Sequence, residues 1–195
     1  MDEWYNVDAM KNENYNENII ISDAKLDLSD HTLKTYTLYR CDKLIKKTAN
    51  GKMLLADKCP EAKSLLSSMA SSLGLSVSEE EINSFSDGEN GLYIWDDSGI
   101  CAIARIAFVG KKYARINTVY TSPEKRGHGY AGALVSSLSE LLIGRGLIPT
   151  VLADENNPIS NKMYLSLGFI PDGKIYEYTK NDVPKKECAI FNLRK

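Results

Sequence analysis

Val119-Tyr120-Thr121-Ser122-Pro123-Glu124-Lys125-Arg126-Gly127-His128-Gly129-Tyr130-Ala131-Gly132 is the stretch on which the reading of this chain turns. A β-branched run feeds a loop that carries an arginine and closely spaced glycines, and an amphipathic pattern starts at once behind it. Glycines let a backbone come close to an anion and aim successive N–H groups at it. The first turn of a helix adds its unbonded donors and its positive dipole end. Arg126 can add a charge-assisted contact. The ligand such a loop suits is a phosphate or pyrophosphate.

Outward from this loop the pattern is regular. Gly91 to Trp95, Ile100 to Val109 and Tyr113 to Thr121 are apolar or β-branched runs separated by turn chemistry at Asp96-Asp97-Ser98-Gly99 and Gly110-Lys111-Lys112, which predicts an antiparallel meander. Ala131, Leu134, Val135, Leu138, Leu141 and Leu142 form one helical stripe, ended by Gly144 or Gly146. A strand over Leu147 to Ala153 follows, then a helix over Pro158 to Leu167, and extended segments at Ile175 to Thr179 and Cys188 to Leu193. Upstream, Leu33 to Tyr39 alternates like a strand. Pro60, Leu65, Leu66, Met69 and Leu73 mark a helix closed by Gly74, and Ser78-Glu79-Glu80-Glu81 reads as the start of a second one. The expected fold is α+β, or mixed α/β, with a mostly antiparallel twisted sheet and helices on both faces.

The glycines Gly127, Gly129 and Gly132 also mimic the G-x-G-x-x-G dinucleotide fingerprint, with Asp154 22 residues after Gly132. Five residues, Ser122 to Arg126, separate the strand from the first glycine, whereas a dinucleotide turn follows its strand directly. The meander upstream also lacks βαβ order.

Asp154-Glu155-Asn156-Asn157-Pro158-Ile159-Ser160-Asn161-Lys162-Met163-Tyr164-Leu165-Ser166-Leu167-Gly168-Phe169 specifies its own helix, with Asn157 as cap, Pro158 at the first position and Gly168 at the exit. Ser160 and Tyr164 share a face, and Ile159, Met163 and Leu167 read as the apolar stripe.

Read as R-x-x-G-x-A, Arg126, Gly129 and Ala131 resemble the Q/R-x-x-G-x-G/A pyrophosphate motif of the GNAT superfamily of N-acetyltransferases, and the 154–169 run resembles that family's N-x-x-[AS]-x-x-x-Y-x-x-x-G-F block. The two blocks lie about 30 residues apart, joined by a helix and a strand as in the family, and the resemblance covers roughly residues 36 to 180. It implies a GNAT-like fold and an acyltransferase that carries acetyl from acetyl-coenzyme A to a primary amine of a small molecule or peptide. It further implies that the strand before the loop and the next strand splay around the pantetheine arm. On that basis Val119, Tyr120 and Thr121 fall on the arm or the acetyl carbonyl, and Arg126 to Ala131 on the pyrophosphate. Asn157, Ser160 and Asn161 fall on the pantetheine or acetyl side, and Tyr164 is the acid facing the sulfur. Ala114-Arg115-Ile116-Asn117-Thr118 has no carboxylate where many relatives place a general base. A coenzyme-A-holding module without chemistry therefore stays open as an alternative, and a dinucleotide-dependent oxidoreductase as a lesser one.

Composition narrows the partners. The 195 residues carry a net charge of −2, with −6 in residues 1–30 (eight acids, two lysines) and +4 in the remainder. That is no field for nucleic acid or an anionic membrane. Residues 1–35 are expected to be an acidic, Asn-rich N-terminal extension and 36–195 the acetyltransferase domain, with a homodimer left open. Four dispersed cysteines and two histidines make a metal site an unlikely use of ligands. With neither a signal-like start nor a spanning apolar run, the expectation is a cytoplasmic protein with reduced thiols. Cys101 is expected in the core and His128 in solvent. Arg105 is left open between solvent and the substrate side.

Overall fold

The computed structural model describes residues 19–56, 59–72 and 91–181. In chain order these are β1 (Ile19–Ser22), β2 (His31–Arg40), β3 (Lys52–Leu55), α1 (Pro60–Ser72), β4 (Leu92–Asp96), β5 (Ile100–Val109), β6 (Tyr113–Thr121), a 3-10 turn (Pro123–Lys125), α2 (Tyr130–Gly144), β7 (Ile148–Asp154), α3 (Pro158–Ser166) and β8 (Ile170–Lys180). The eight strands form one sheet in the order β1-β8-β2-β7-β6-β5-β4-β3. Every neighbouring pair is antiparallel except β6 and β7, which are linked through α2 and run parallel.

The three-stranded meander forms where the alternating apolar runs and their turns place it. At the β4–β5 turn the Gly99 N–H donates to Asp96 Oδ1 at 2.9 Å, and Asp97 N–H to Gly99 O at 3.1 Å. Both faces of the sheet are covered. Leu134, Val135, Leu138 and Leu142 of α2 pack with Ala102, Ala104, Ile106, Ile116 and Val151 on one side, and Leu66 and Met69 of α1 pack with Leu92, Ile94 and Ile103 on the other. Cys101 is fully buried. No helix among the described residues is long and apolar enough to cross a membrane.

Several elements differ from the sequence reading. β8 begins five residues before the expected start at Ile175, because the turn-like Pro171-Asp172-Gly173 is carried inside the strand by a bulge opposite Leu38 and Tyr39. β1 and β3 are four-residue strands without a long periodic run, and both lie at sheet edges. The line at residue 35/36 falls inside β2, and β1 pairs with β8 from Ile19↔Thr179 to Ser22↔Tyr176. Ile159 is 83% exposed rather than part of a buried stripe; on α3 it is Tyr164 that is buried, followed by Leu167 at the cap. Residues 1–18, the Leu73–Gly74 helix end, the helix start at Ser78 and the Cys188–Leu193 segment lie outside the described residues.

The connection after β2 grips the end of α3. Ile45 N–H donates to Leu167 O at 2.9 Å. Gly168 has φ +88°, and a Cβ there would lie 2.3 Å from Lys43 O. Both the left-handed backbone and the close approach exclude a side chain. Gly168→Ala is therefore expected to cost about 2 kcal/mol or more and lower the melting temperature by roughly 4–8 °C. Gly144→Ala, which meets nothing within 4 Å, should leave it within about 2 °C by the same scaling; thermal denaturation of both variants checks this.

Candidate functional site

β6 and β7 share register for only three residues, Tyr113↔Ile148, Ala114↔Pro149 and Arg115↔Thr150. Beyond them β7 keeps its antiparallel partner, β2, through Tyr36↔Asp154, while β6 has no partner on that side among the described residues. On its other side β6 carries a bulge. Ile103 pairs with Tyr120 and Arg105 with Asn117, so Thr118 and Val119 together face the single residue Ala104. Thr118 takes up the extra residue with φ +56°, and its hydroxyl donates to Asn117 Oδ1 at 2.9 Å. A bulge bends and twists its strand, and here it carries β6 away from β7. The result is a gap lined by strand backbone with ladder positions on β6 left for another extended chain. Val119, Tyr120 and Thr121 lie on the edge of that gap, and their side chains are half-buried.

The loop at the end of β6 leads directly into α2. Gly127 and Gly129 have φ +83° and +80°, and nothing lies within 4 Å of a Cβ built on either. Glycine is needed there for conformation, and the space over the loop is open. Gly129 is the N-cap of α2, and no side chain caps the helix, so its first-turn N–H groups face outward uncompensated. Arg126 is exposed, its guanidinium 5.7 Å from the Tyr120 ring and its Nε donating to Thr121 O at 3.3 Å. His128 is exposed as well, but it is not idle. Its Nδ1 donates to Arg126 O at 2.8 Å, and its ring stacks on Tyr130 at 5.5 Å. The Tyr130 hydroxyl donates to Asp97 Oδ2 at 2.5 Å, tying the start of α2 to the β4–β5 turn. That hydrogen bond, helped by burial, pushes the Tyr130 phenol up to about 12.

α3 starts as its sequence dictates. Asn157 Oδ1 accepts from Ser160 N–H at 3.2 Å, and the Ser160 hydroxyl donates to Asn157 O at 3.1 Å. Asn161 uses both of its amide donors, to Asp154 O and Asn157 O, each at 2.8 Å, while its Oδ1 accepts from the Tyr39 hydroxyl at 2.8 Å. The side chains of Asn157 and Asn161 thus serve the placement of α3, and what they leave toward a ligand is chiefly backbone and the remaining lone pairs. Tyr164 is buried, its ring 6.0 Å from Tyr39 and 5.7 Å edge-on to Phe169. Its hydroxyl makes no hydrogen bond among the described residues. Burial pushes the phenol well above its usual range, so it holds its proton at neutral pH.

Two residues near the site had no role in the sequence reading. Tyr39 lies in a correctly placed strand, yet nothing in an alternating run says that its hydroxyl reaches a helix 122 positions away. Asp97 looks like any turn residue until Tyr130 is seen to reach it. Arg105 is 4% exposed and faces away from solvent, on the α1 side of the sheet across from Asn117.

Residues 100–177, from the start of β5 into β8, match the family model described as FR47-like protein. The match spans about two fifths of the chain. No curated protein matches it by sequence. Among solved structures, a GNAT-family protein of Novosphingobium aromaticivorans superposes with TM-score 0.64 at 16% identity over 82% of this chain and 71% of that one. A GNAT-family acetyltransferase of Colwellia psychrerythraea gives 0.59 at 18% over 77% and 57%. A GCN5-related N-acetyltransferase of Sphaerobacter thermophilus gives 0.62 at 15% over 82% and 55%. The fold is thus the one these GNAT structures share, and this chain spans little more than half the length of the latter two.

The Tyr130 contact yields a pH prediction. A phenol raised in the folded state adds stability that is complete below the unfolded value near 10 and is lost as pH rises through about 12. Between those limits wild-type protein should lose melting temperature more steeply than Tyr130→Phe. Melting curves in steps from pH 9 to 12 check this, and parallel slopes contradict it.

Proposed function

We propose that this GNAT-type chain is an N-acetyltransferase taking acetyl-coenzyme A as donor and a primary amine of a small molecule or peptide as acceptor. The observation that carries the reading is the continuity of the β6–β7 gap with the glycine loop at the head of α2. An extended arm can pair with β6 backbone while a pyrophosphate sits on the α2 N-terminus.

In this reading the N–H groups from Arg126 to Ala131 hold the pyrophosphate, that of Arg126 by giving up its 3.4 Å bond to Pro123 O, assisted by the Arg126 guanidinium. The backbone from Val119 to Thr121 pairs with the pantetheine arm and supplies donors to the carbonyl oxygen as it gains charge. The amine nitrogen attacks that carbonyl, the C–N bond forms, the C–S bond breaks, and the proton shed by the amine balances the thiolate. Tyr164 keeps its own proton in the resting state and donates it in a hydrogen bond to the departing sulfur. With no carboxylate on β6, the amine's proton leaves through water, or the amine arrives neutral. That same missing carboxylate favours a second reading, a module that holds coenzyme A without turnover. A wild-type protein that binds acetyl-coenzyme A and acetylates nothing across a broad amine panel would support it.

Saturating acetyl-coenzyme A, at about 100 times its Kd, should raise the melting temperature by roughly 5–10 °C. The Arg126→Ala, Gly129→Ala double variant should lose most of that rise, and an undiminished rise contradicts the placement. Tyr164→Phe should lower kcat on the order of 10²-fold with less than a threefold change in the Kd of acetyl-coenzyme A. Unchanged turnover, measured as free thiol released per acetylated amine, removes Tyr164 from the chemistry.

A further inference from the structure

α3 carries Tyr164 on one turn and its own cap on another, but the helix is nine residues long and its N-terminal turn is exposed. So short a helix does not hold its orientation by itself. Its grip comes from the segment that begins at Tyr39. Tyr39 lies on the face of β2 that looks toward α3, paired with Val151 of β7, and is 4% exposed. Its hydroxyl meets Asn161, which in turn is bonded to the end of β7 at Asp154 O and to the α3 cap at Asn157 O. Its ring lies beside that of Tyr164. A few residues on, Ile45 N–H bonds Leu167 O, and Lys43 O sits where a side chain at position 168 would be. β2 and the chain after it therefore hold α3 at its first turn through Asn161, at its middle through the Tyr39 ring, and at its end through Leu167 and Gly168.

We infer that Tyr39 is a positioning residue of the active site, setting the direction of the Tyr164 hydroxyl through Asn161 and through ring contact. The inference rests on the acetyltransferase reading for its effect on turnover, and on the hydrogen bonds alone for its effect on α3. Tyr39→Phe keeps the ring and removes the one bond that ties β2 to Asn161. If Tyr39 acts by aiming Tyr164, its loss matters only while the Tyr164 hydroxyl is present. Residues that act as one unit give non-additive losses.

The test is a cycle of wild type, Tyr39→Phe, Tyr164→Phe and the double variant, with kcat and the KM of acetyl-coenzyme A measured on one amine. Tyr39→Phe is expected to lower kcat about tenfold with KM within about twofold. Added to Tyr164→Phe, it should lower kcat by less than about twofold. Equal losses in both backgrounds, or a KM effect with kcat unchanged, overturn the positioning role. Amide hydrogen exchange supplies the arm that needs no turnover. In Tyr39→Phe the amides of Asn161 to Leu165 should exchange about tenfold faster than in wild type while the middle of α2 is unchanged, and unaltered α3 exchange overturns the inference. A wild-type protein with no activity, but with faster α3 exchange in the variant, would retire the acetyltransferase reading and leave the Tyr39 grip standing.

Discussion

After Arg115 and Thr150 the two parallel strands at the centre of the sheet stop sharing hydrogen bonds: β6 absorbs an extra residue at Thr118 and Val119, while β7 goes on pairing with β2 as far as Asp154. Backbone donors and acceptors in a folded protein need partners, so a strand that turns away from its neighbour must meet water, side chains or a ligand. The rest of the site is arranged around that separation. α2 spans from one strand to the other on one face and buries Leu134, Leu138 and Leu142 over them. Its uncapped first turn stands at the end of β6, where the gap is open. α3 follows β7 directly, so Tyr164 is delivered from the opposite side of the same opening.

In the proposed cradle, backbone rather than side-chain charge dominates. The chain as a whole is slightly acidic, and within the loop the Arg126 guanidinium is held against the Tyr120 ring and Thr121 O. The His128 and Tyr130 side chains bond within the protein: one turns back onto Arg126 O, and the other anchors the helix to Asp97. A loop built this way suits a phosphate by geometry in the proposed reading. Across β5 and β6, on the α1 side, the buried Arg105 pairs with Asn117.

Much of the frame was legible in the chain because its signals were local. Pro60, Pro158 and Asn157 announce helix starts, the turns at Asp97 and Gly110 bound β5, and the α2 stripe has an unbroken 3.6-residue period. β1 and β3 were invisible because four residues carry no period, and their pairing with β8 and β4 is decided by tertiary contact. Pro171-Asp172-Gly173 reads as a turn and is held inside β8 only because β2 accommodates a bulge there. The two sequence motifs locate Arg126, Gly129 and Tyr164 on their loop and helix, but they do not show that Asn161 is bonded to Tyr39, Asp154 and Asn157. Long-range hydrogen bonds of that kind leave no spacing to read.

The central claim is that an acetyl-coenzyme A arm lies between β6 and β7 with its pyrophosphate on the head of α2. The most direct measurement is titration of isotope-labelled protein with acetyl-coenzyme A while backbone amide resonances are followed. The account predicts the largest shifts at Val119 to Thr121 and Arg126 to Ala131, with smaller ones at Ser160 to Tyr164 and none along β1 or the β8 residues that pair with it. Binding that shifts the β1–β8 edge or the outer face of α1, and leaves Val119 and Gly129 unmoved, would contradict it.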